Sequence, residues 1–193
     1  MTMTKIIGLT GGIGSGKTTV ANYLIAKGIP VYIADLEARK ITESKKVINQ
    51  IEKVFGVDVI ENNKVNRTIL ATIVFKDKEK LAQLNAIIHP EVKKHFKKWL
   101  KSKVDFKFVV KESAILFESG SYKDCEVIIL VTAPLETRIE RTMKRDNVDR
   151  ESVLQRINNQ MPEEEKKIKS DYIIQNTSLK DTHIQLDELL NYL

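Results

Sequence analysis

The sequence predicts an α/β fold, a parallel five-stranded sheet flanked by helices, with one long helical stretch inserted into it. Three observations predict it. A short apolar run, Lys5-Ile6-Ile7-Gly8-Leu9, passes through a glycine-rich turn into a segment with helical spacing. Four further strand-like runs follow: Pro30-Val31-Tyr32-Ile33, Phe106-Lys107-Phe108-Val109-Val110, Val127-Ile128-Ile129-Leu130-Val131 and Tyr172-Ile173-Ile174. Strands that alternate with helical patterns are the mark of parallel sheets, whose crossovers need helices. Between the second and third runs, residues 43–103 carry many helical signals and few strand signals.

The glycine-rich turn is Gly11-Gly12-Ile13-Gly14-Ser15-Gly16-Lys17-Thr18, which fits G-x-x-x-x-G-K-[ST] at every fixed position. A strand that turns through glycines into a helix can point successive backbone N–H groups inward, and the helix start adds partial positive charge. Phosphate is the natural guest. In this motif Lys17 reaches the β- and γ-phosphates of a nucleoside triphosphate, while the Thr18 hydroxyl ligates the Mg²⁺ that bridges them. Thr19 follows and continues into a helix to Lys27, with Val20, Ala21, Leu24 and Ile25 on one face and Gly28 suited to the left-handed position past its end.

The second strand delivers Ala34-Asp35 to its C-terminal end, where ligands bind in open α/β sheets. On spacing alone Asp35 reads equally as a catalytic carboxylate or as the N-cap of residues 36–41. In the helical stretch, Val47, Ile48, Ile51, Val54 and Phe55 recur at helical intervals, as do Val92, Phe96, Trp99 and Leu100. Asn66 and Asp77 read as N-caps for helices over 67–74 and 78–88, and Pro90 reads as the first residue of the next helix. His89 before it is then extended, and taken alone reads more readily as a structural hydrogen-bonder than as a catalyst. A strand-poor block between two strands of one sheet has the form of an inserted substrate-binding lobe, about 43–103.

Glu112 falls at the end of the third strand, where a Mg²⁺ ligand acting through water or a solvated rim carboxylate fits equally. Residues 127–131 are the most strand-like run and predict the centre of the sheet. Pro134 then starts a helix with Leu135, Ile139 and Met143 as its apolar stripe; Arg138, Arg141 and Arg145 fall on another face roughly 130° away. Three arginines on one face can grip phosphate bidentately, or pair with Glu136, Glu140 and Asp146 on a solvated face. Residues 146–169 are highly charged, with Arg150, Arg156 and Gln160, and read as a weakly anchored helical lid. Asn176 ends the last strand near the phosphate-binding edge, and 179–193 closes the chain as a helix.

Composition narrows the partners. A chain of 193 residues with 42% hydrophobic residues suits one unit with its own core, here the sheet over about 1–42, 104–145 and 170–193. The formal charge of +6 fits a protein that handles polyanions. Aromatics are only 6% and the positive residues are interspersed with acidic ones, which argues against nucleic acid and for small phosphorylated ligands. The single Cys125 can form no internal disulfide and points to a reducing compartment. Met-Thr-Met-Thr-Lys runs straight into the first strand and no apolar run approaches membrane-spanning length, which predicts a cytoplasmic protein without a membrane partner.

Taken together the motifs resemble the dephospho-CoA kinase family, P-loop kinases that phosphorylate the ribose 3′-hydroxyl of dephospho-CoA in the last step of coenzyme A synthesis. The resemblance runs over nearly the whole chain and rests on Leu9 to Lys17, Ala34-Asp35 with Ala38-Arg39, Ile88-His89-Pro90, Leu116-Phe117-Glu118, the Arg138, Arg141, Arg145 series, and Asp171-Tyr172 with Asn176. Ile33 stands where the family often has another Asp, and Ala114 lies where it commonly has a Pro. The resemblance implies ATP with Mg²⁺ as cofactor and dephospho-CoA as acceptor, and a monomer or weak homo-oligomer. It further implies Asp35 as general base, and Lys17, Arg141 and Arg145 as the charges that offset the transferring phosphoryl group. Asp35, Arg39, His89 and Glu118 would face the acceptor; Arg150 and Arg156 would act from the lid; Asn176 would border the ATP site. The competing reading is a kinase of another small molecule, a nucleoside monophosphate or a sugar acid. A GTPase is disfavoured because neither Asn-Lys-x-Asp nor Asp-x-x-Gly occurs in a switch setting, and a nucleic-acid-dependent ATPase ranks below both.

Overall fold

The computed structural model describes residues 4–74 and 76–193; the reading of Met-Thr-Met at the N-terminus lies outside them. In chain order the elements are β1 (Lys5–Thr10), α1 (Lys17–Ala26), β2 (Val31–Ile33), α2 (Ala34–Thr42), α3 (Lys45–Phe55), β3 (Ile60–Glu61), β4 (Lys64–Val65), α4 (Arg67–Val74), α5 (Lys78–Lys101), β5 (Phe108–Glu112), β6 (Val127–Thr132), α6 (Leu135–Asp146), α7 (Arg150–Asn158), α8 (Glu163–Ile168), β7 (Tyr172–Gln175) and α9 (Leu179–Leu190). They form two compact units, Met1–Ile33 with Lys103–Leu193, and Ala34–Ser102.

The first unit holds a five-stranded sheet in the order β2-β5-β1-β6-β7, with every pairing parallel. The centre is therefore β1, the strand that feeds the glycine-rich turn, and β6 lies between it and the edge strand β7. The expectation that 127–131 is central is corrected: its apolarity reflects burial on both faces, which every interior parallel strand shares. On one face Ile7, Leu9, Val110, Ile129, Val131 and Ile174 meet Val20, Ala21 and Leu24 of α1 and Leu186 and Leu189 of α9. On the other, Ile128 packs with Leu116 and Phe117. The alternation of Ile128 and Ile129 between the two clusters is the two-residue period of a strand. Strand β5 starts two residues later than the sequence suggests and runs on to Glu112, whose partners in register are Leu9 and Ile33.

The second unit has its own core, in which Val47, Ile51, Val59, Leu70 and Val74 pack with Ile41, Leu81 and Leu84. Asp77 caps α5 by accepting from the N–H groups of Glu79 and Lys80, and Asn66 caps α4 through Ile69 N–H, as the sequence predicts. The block is strand-poor as expected, its hairpin β3–β4 having two-residue strands turned by Asn62 and Asn63 with φ of 50° and 58°, a left-handed pair that asparagine tolerates. One expectation is overturned: α5 runs unbroken through Pro90, so His89 is helical rather than extended. Proline removes one hydrogen bond and disfavours a helical predecessor; packing of α5 against α2, α3 and α4 outweighs that local preference.

Candidate active site

Gly14 and Gly16 have φ of 76° and 90°, in the region glycine enters without steric cost. A Cβ on Gly16 would lie 1.8 Å from Asn176 Nδ2, and one on Gly14 would lie 2.2 Å from the Arg138 carbonyl oxygen. Neither position has room for a side chain. Helix α1 begins as the N–H groups of Thr19 and Val20 donate to the Gly16 carbonyl. Such a start aims N–H groups and partial positive charge into the loop. The Lys17 ammonium folds back over it and donates to the Gly11 carbonyl at 2.8 Å.

The loop is braced from outside. Asn176, 3% exposed, follows β7 and donates from Nδ2 to the Ser15 carbonyl at 2.8 Å, while its Oδ1 accepts from the Thr182 hydroxyl at 3.0 Å. Its backbone N–H donates to Thr132 at the end of β6, and its carbonyl accepts from Arg141 Nη1 at 3.1 Å. Arg141 is thus held at the loop by the residue that supports the loop. Asp171, at the other end of β7, accepts from the Ile128 N–H at 2.7 Å and secures the strand that carries Asn176.

Arg138 does not share the exposed face of Arg145. It is 5% exposed; its Nε donates to the Ile13 carbonyl at 3.0 Å and its Nη1 to Glu163 Oε2 at 2.5 Å. The apolar stripe expected on α6 is accordingly mixed, with Arg138, Ile139 and Thr142 buried and Leu135 half exposed. Glu163 also accepts from the Thr132 hydroxyl at 2.5 Å, and the Ile13 N–H donates to Gln160 Oε1 at 2.9 Å. Gln160 and Glu163 were not among the sequence candidates. Gln160 bonds a peptide group 147 residues away and Glu163 bonds side chains 31 and 25 residues away, separations that leave no periodic trace in a sequence.

Residues 146–169 form α7 and α8 and are tied down at more points than a weakly anchored lid suggests. Arg150 makes a bidentate pair with Glu136, Arg145 and Arg156 both pair with Asp146, and Val153 is fully buried. These are solvated pairs, each of small energetic weight. Glu118 accepts from the Met161 N–H at 3.0 Å and pairs with the buried Lys166 ammonium at 3.0 Å. Partial burial alone would raise its pKa, but the Met161 N–H and the Lys166 charge outweigh that and hold it below the ordinary carboxylate value.

Glu112, 6% exposed, ends β5 at the edge where β1 enters the loop, and Thr18 is the second residue of α1. Both offer hard oxygen donors. Among the described residues no three His, Cys, Asp or Glu gather as a group that could hold a metal ion. In the second unit, Asp35 is the exposed second residue of α2, which starts directly after β2. It therefore lies inside the first turn rather than at the cap, where its charge suits the helix dipole. Arg39 is exposed on the same helix, and its carbonyl accepts from Arg67 at 3.2 Å. His89 lines a groove with Ala82, Ala86 and Lys93, and partial burial pushes its pKa below the ordinary value.

A parallel sheet with a phosphate loop at its central strand, a cation folded over that loop and arginines from the following helices define a P-loop kinase of small molecules. The dephospho-CoA kinase family model (CoaE) matches residues 5–181. A dephospho-CoA kinase of Bacteroides fragilis is 42% identical over 188 residues, covering 97% of this chain and 92% of that one. A crystal structure from Thermus thermophilus superposes with a TM-score of 0.89 at 38% identity, covering 100% and 99% of the two chains. Dephospho-CoA kinase from Campylobacter jejuni gives 0.65 at 25% identity, with 99% and 98% covered. The chain belongs to the dephospho-CoA kinase family, a family of transferases.

Proposed function

We propose that this protein transfers the γ-phosphoryl group of ATP to the ribose 3′-hydroxyl of dephospho-CoA, giving coenzyme A and ADP in the last step of coenzyme A synthesis. The observation that carries this reading is the phosphate loop held open by Asn176 and Arg138, in a chain whose family is dephospho-CoA kinase.

Residues 11–19 bind the triphosphate through the loop and the start of α1, with Asn176 holding the loop and Arg141 beside it. The Lys17 ammonium exchanges the Gly11 carbonyl for β- and γ-phosphate oxygens, a swap of one acceptor for stronger, charged ones. Thr18, with Glu112 acting through water, would hold Mg²⁺, which when bound offsets the charge of the β- and γ-phosphates. The reading of Asp35 as the base is supported by its sequence position, two residues after Ile33, the last residue of β2. Asp35 takes the proton of the 3′-hydroxyl as its oxygen attacks the γ-phosphorus, and the bond to the ADP oxygen breaks on the opposite side. Arg141 and Arg145 offset the charge on the transferring group, and Arg150 and Arg156 act with the lid over 146–169, which excludes water that would otherwise take the phosphoryl group.

The helical insertion, about 43–103, serves the acceptor, with Asp35, Arg39, His89 and Glu118 as the acceptor-binding residues. The lone Cys125 fits a reducing, cytoplasmic setting, and among the described residues no helix is long and apolar enough to cross a membrane. The enzyme works as a monomer or weak homo-oligomer, without nucleic acid. The test is ADP release by the purified protein with ATP, Mg²⁺ and, in turn, dephospho-CoA, AMP, CMP, gluconate and shikimate. Turnover with dephospho-CoA far above the others is expected; preference for a monophosphate or a sugar acid would overturn the assignment.

A further inference from the structure

The phosphate loop is gripped at its tip by a part of the chain that belongs to no strand of the sheet. Ile13 is the second of the four variable residues of the loop motif, and both of its peptide groups are engaged by side chains. Its N–H donates to Gln160 Oε1 at 2.9 Å, and its carbonyl accepts from Arg138 Nε at 3.0 Å. Gln160 sits in the turn that joins α7 to α8, and Glu163, the first residue of α8, holds Arg138 and Thr132 in turn. The bond matters because a phosphate loop works by aiming its N–H groups: the Gln160 contact fixes the rotation of the Gly12–Ile13 peptide plane, as the Arg138 contact fixes that of the Ile13–Gly14 plane.

We infer that Gln160 is a positioning residue for the phosphoryl donor: it holds the Ile13 N–H outward, sets the shape in which the rest of the loop meets the phosphates, and ties that shape to the α7–α8 turn. This rests on the reading of residues 11–18 as the ATP-binding loop. Gln160 has no charge to offer the reaction and reaches the loop through a single acceptor oxygen. Two alternatives on the molecule carry less. Lys166 is buried but already paired with Glu118, so it offers no vacant anion site. The exposed Tyr172 and Ile173 on β7 are apolar, and nothing in the structure shows what would cover them.

The substitution that separates the idea from a packing role is Gln160→Met, which keeps length and volume but removes the acceptor; Gln160→Glu keeps an acceptor in the same place. Amide hydrogen exchange of Ile13, read by NMR on the intact protein, is the direct observable. Ile13 is expected to exchange roughly tenfold faster in Gln160→Met, the loss associated with one hydrogen bond, and to stay protected in Gln160→Glu. In steady-state kinetics Gln160→Met should raise the KM for ATP by about five- to tenfold while the KM for the acceptor moves less than twofold. Unchanged Ile13 exchange in Gln160→Met overturns the inference. So does an equal loss for both substrates together with a lower melting temperature, which is the signature of a packing defect alone. Lys17→Ala, measured alongside for binding of a non-hydrolysable ATP analogue, separates this from the reading beneath it. If Lys17→Ala binds the analogue as wild type does, the ATP-loop assignment fails; if it loses binding while Gln160→Met keeps it in full, only the role of Gln160 fails.

Discussion

Asn176 and Ser15, 161 residues apart in sequence, are joined by a 2.8 Å hydrogen bond from the asparagine side-chain amide to the serine carbonyl. The last strand of the sheet thereby supports the phosphate loop made by the first. Removing this support leaves the Ser15 carbonyl short of a partner in a buried place, while the Thr182 hydroxyl keeps the Ser178 carbonyl at 2.7 Å. Asn176→Ala should lower stability by about 1–3 kcal/mol, the cost of leaving one buried polar group unsatisfied. It should also weaken ATP binding, read by calorimetry. Asn176→Asp keeps the volume but puts an oxygen where the donor was, so it should do no better than alanine. Stability and ATP affinity within error of wild type in either variant would remove Asn176 from the support of the loop.

The arginines of α6 separate into different jobs. Arg138 is buried and bound to Ile13, Arg141 reaches the Asn176 carbonyl, and Arg145 is exposed beside Asp146. Arg141→Ala and Arg145→Ala should each lower kcat/KM for ATP by about tenfold or more, as loss of a charged contact to the transferring group does. Lys144→Ala, an exposed change on the same helix, should stay within about twofold. Equal losses from all three would mean that only general positive charge is at work.

The Glu118–Lys166 pair predicts a pH dependence of stability. Because its partners hold the folded-state pKa of Glu118 below the ordinary 4.5, its contribution is present above that value and is lost as pH falls through the lowered one. Glu118→Gln leaves the Lys166 ammonium buried without its counter-charge. Its cost at pH 7 should be about 3 kcal/mol, at the low end for a broken buried pair because a quarter of the Glu118 side chain remains in solvent. Denaturant melts of wild type and Glu118→Gln from pH 7 to pH 3 should converge as the acid limb is reached. Curves that stay parallel over that range would show that the pair does not titrate with folding.

Much of this arrangement was legible in the sequence for physical reasons. The glycine-rich loop was, because its glycines answer a backbone requirement and its lysine and threonine follow at fixed offsets. The parallel sheet was, because interior strands must be apolar on both faces. The caps Asn66 and Asp77 were, because a side chain that satisfies its own helix start acts within three residues. What escaped was set by contacts distant in sequence. Proline at position 90 predicts a break, yet α5 passes through it because three helices pack along its length. The β3–β4 hairpin has strands of two residues, too short to show a period, and only Asn62-Asn63 marks it. Arg138 looks like one more member of a phosphate-binding series until Ile13 and Glu163 are seen to occupy it. Likewise α2, which follows β2 without a break, groups with the helical unit rather than with the sheet.

Asp35 is where the chemistry of this kinase is most exposed to refutation. It follows the end of β2 by two residues and lies within the first turn of α2, so a capping role does not account for it. The decisive measurement is the maximal rate of ADP formation with dephospho-CoA by Asp35→Asn, alongside the affinity of the same variant for ATP. If Asp35 takes the acceptor proton, the nearly isosteric amide binds ATP as wild type does and turns over about 10²- to 10⁴-fold more slowly, the usual weight of a general base. A variant that binds ATP and works within about threefold of wild type, far short of that loss, would contradict the role of Asp35 in the reaction.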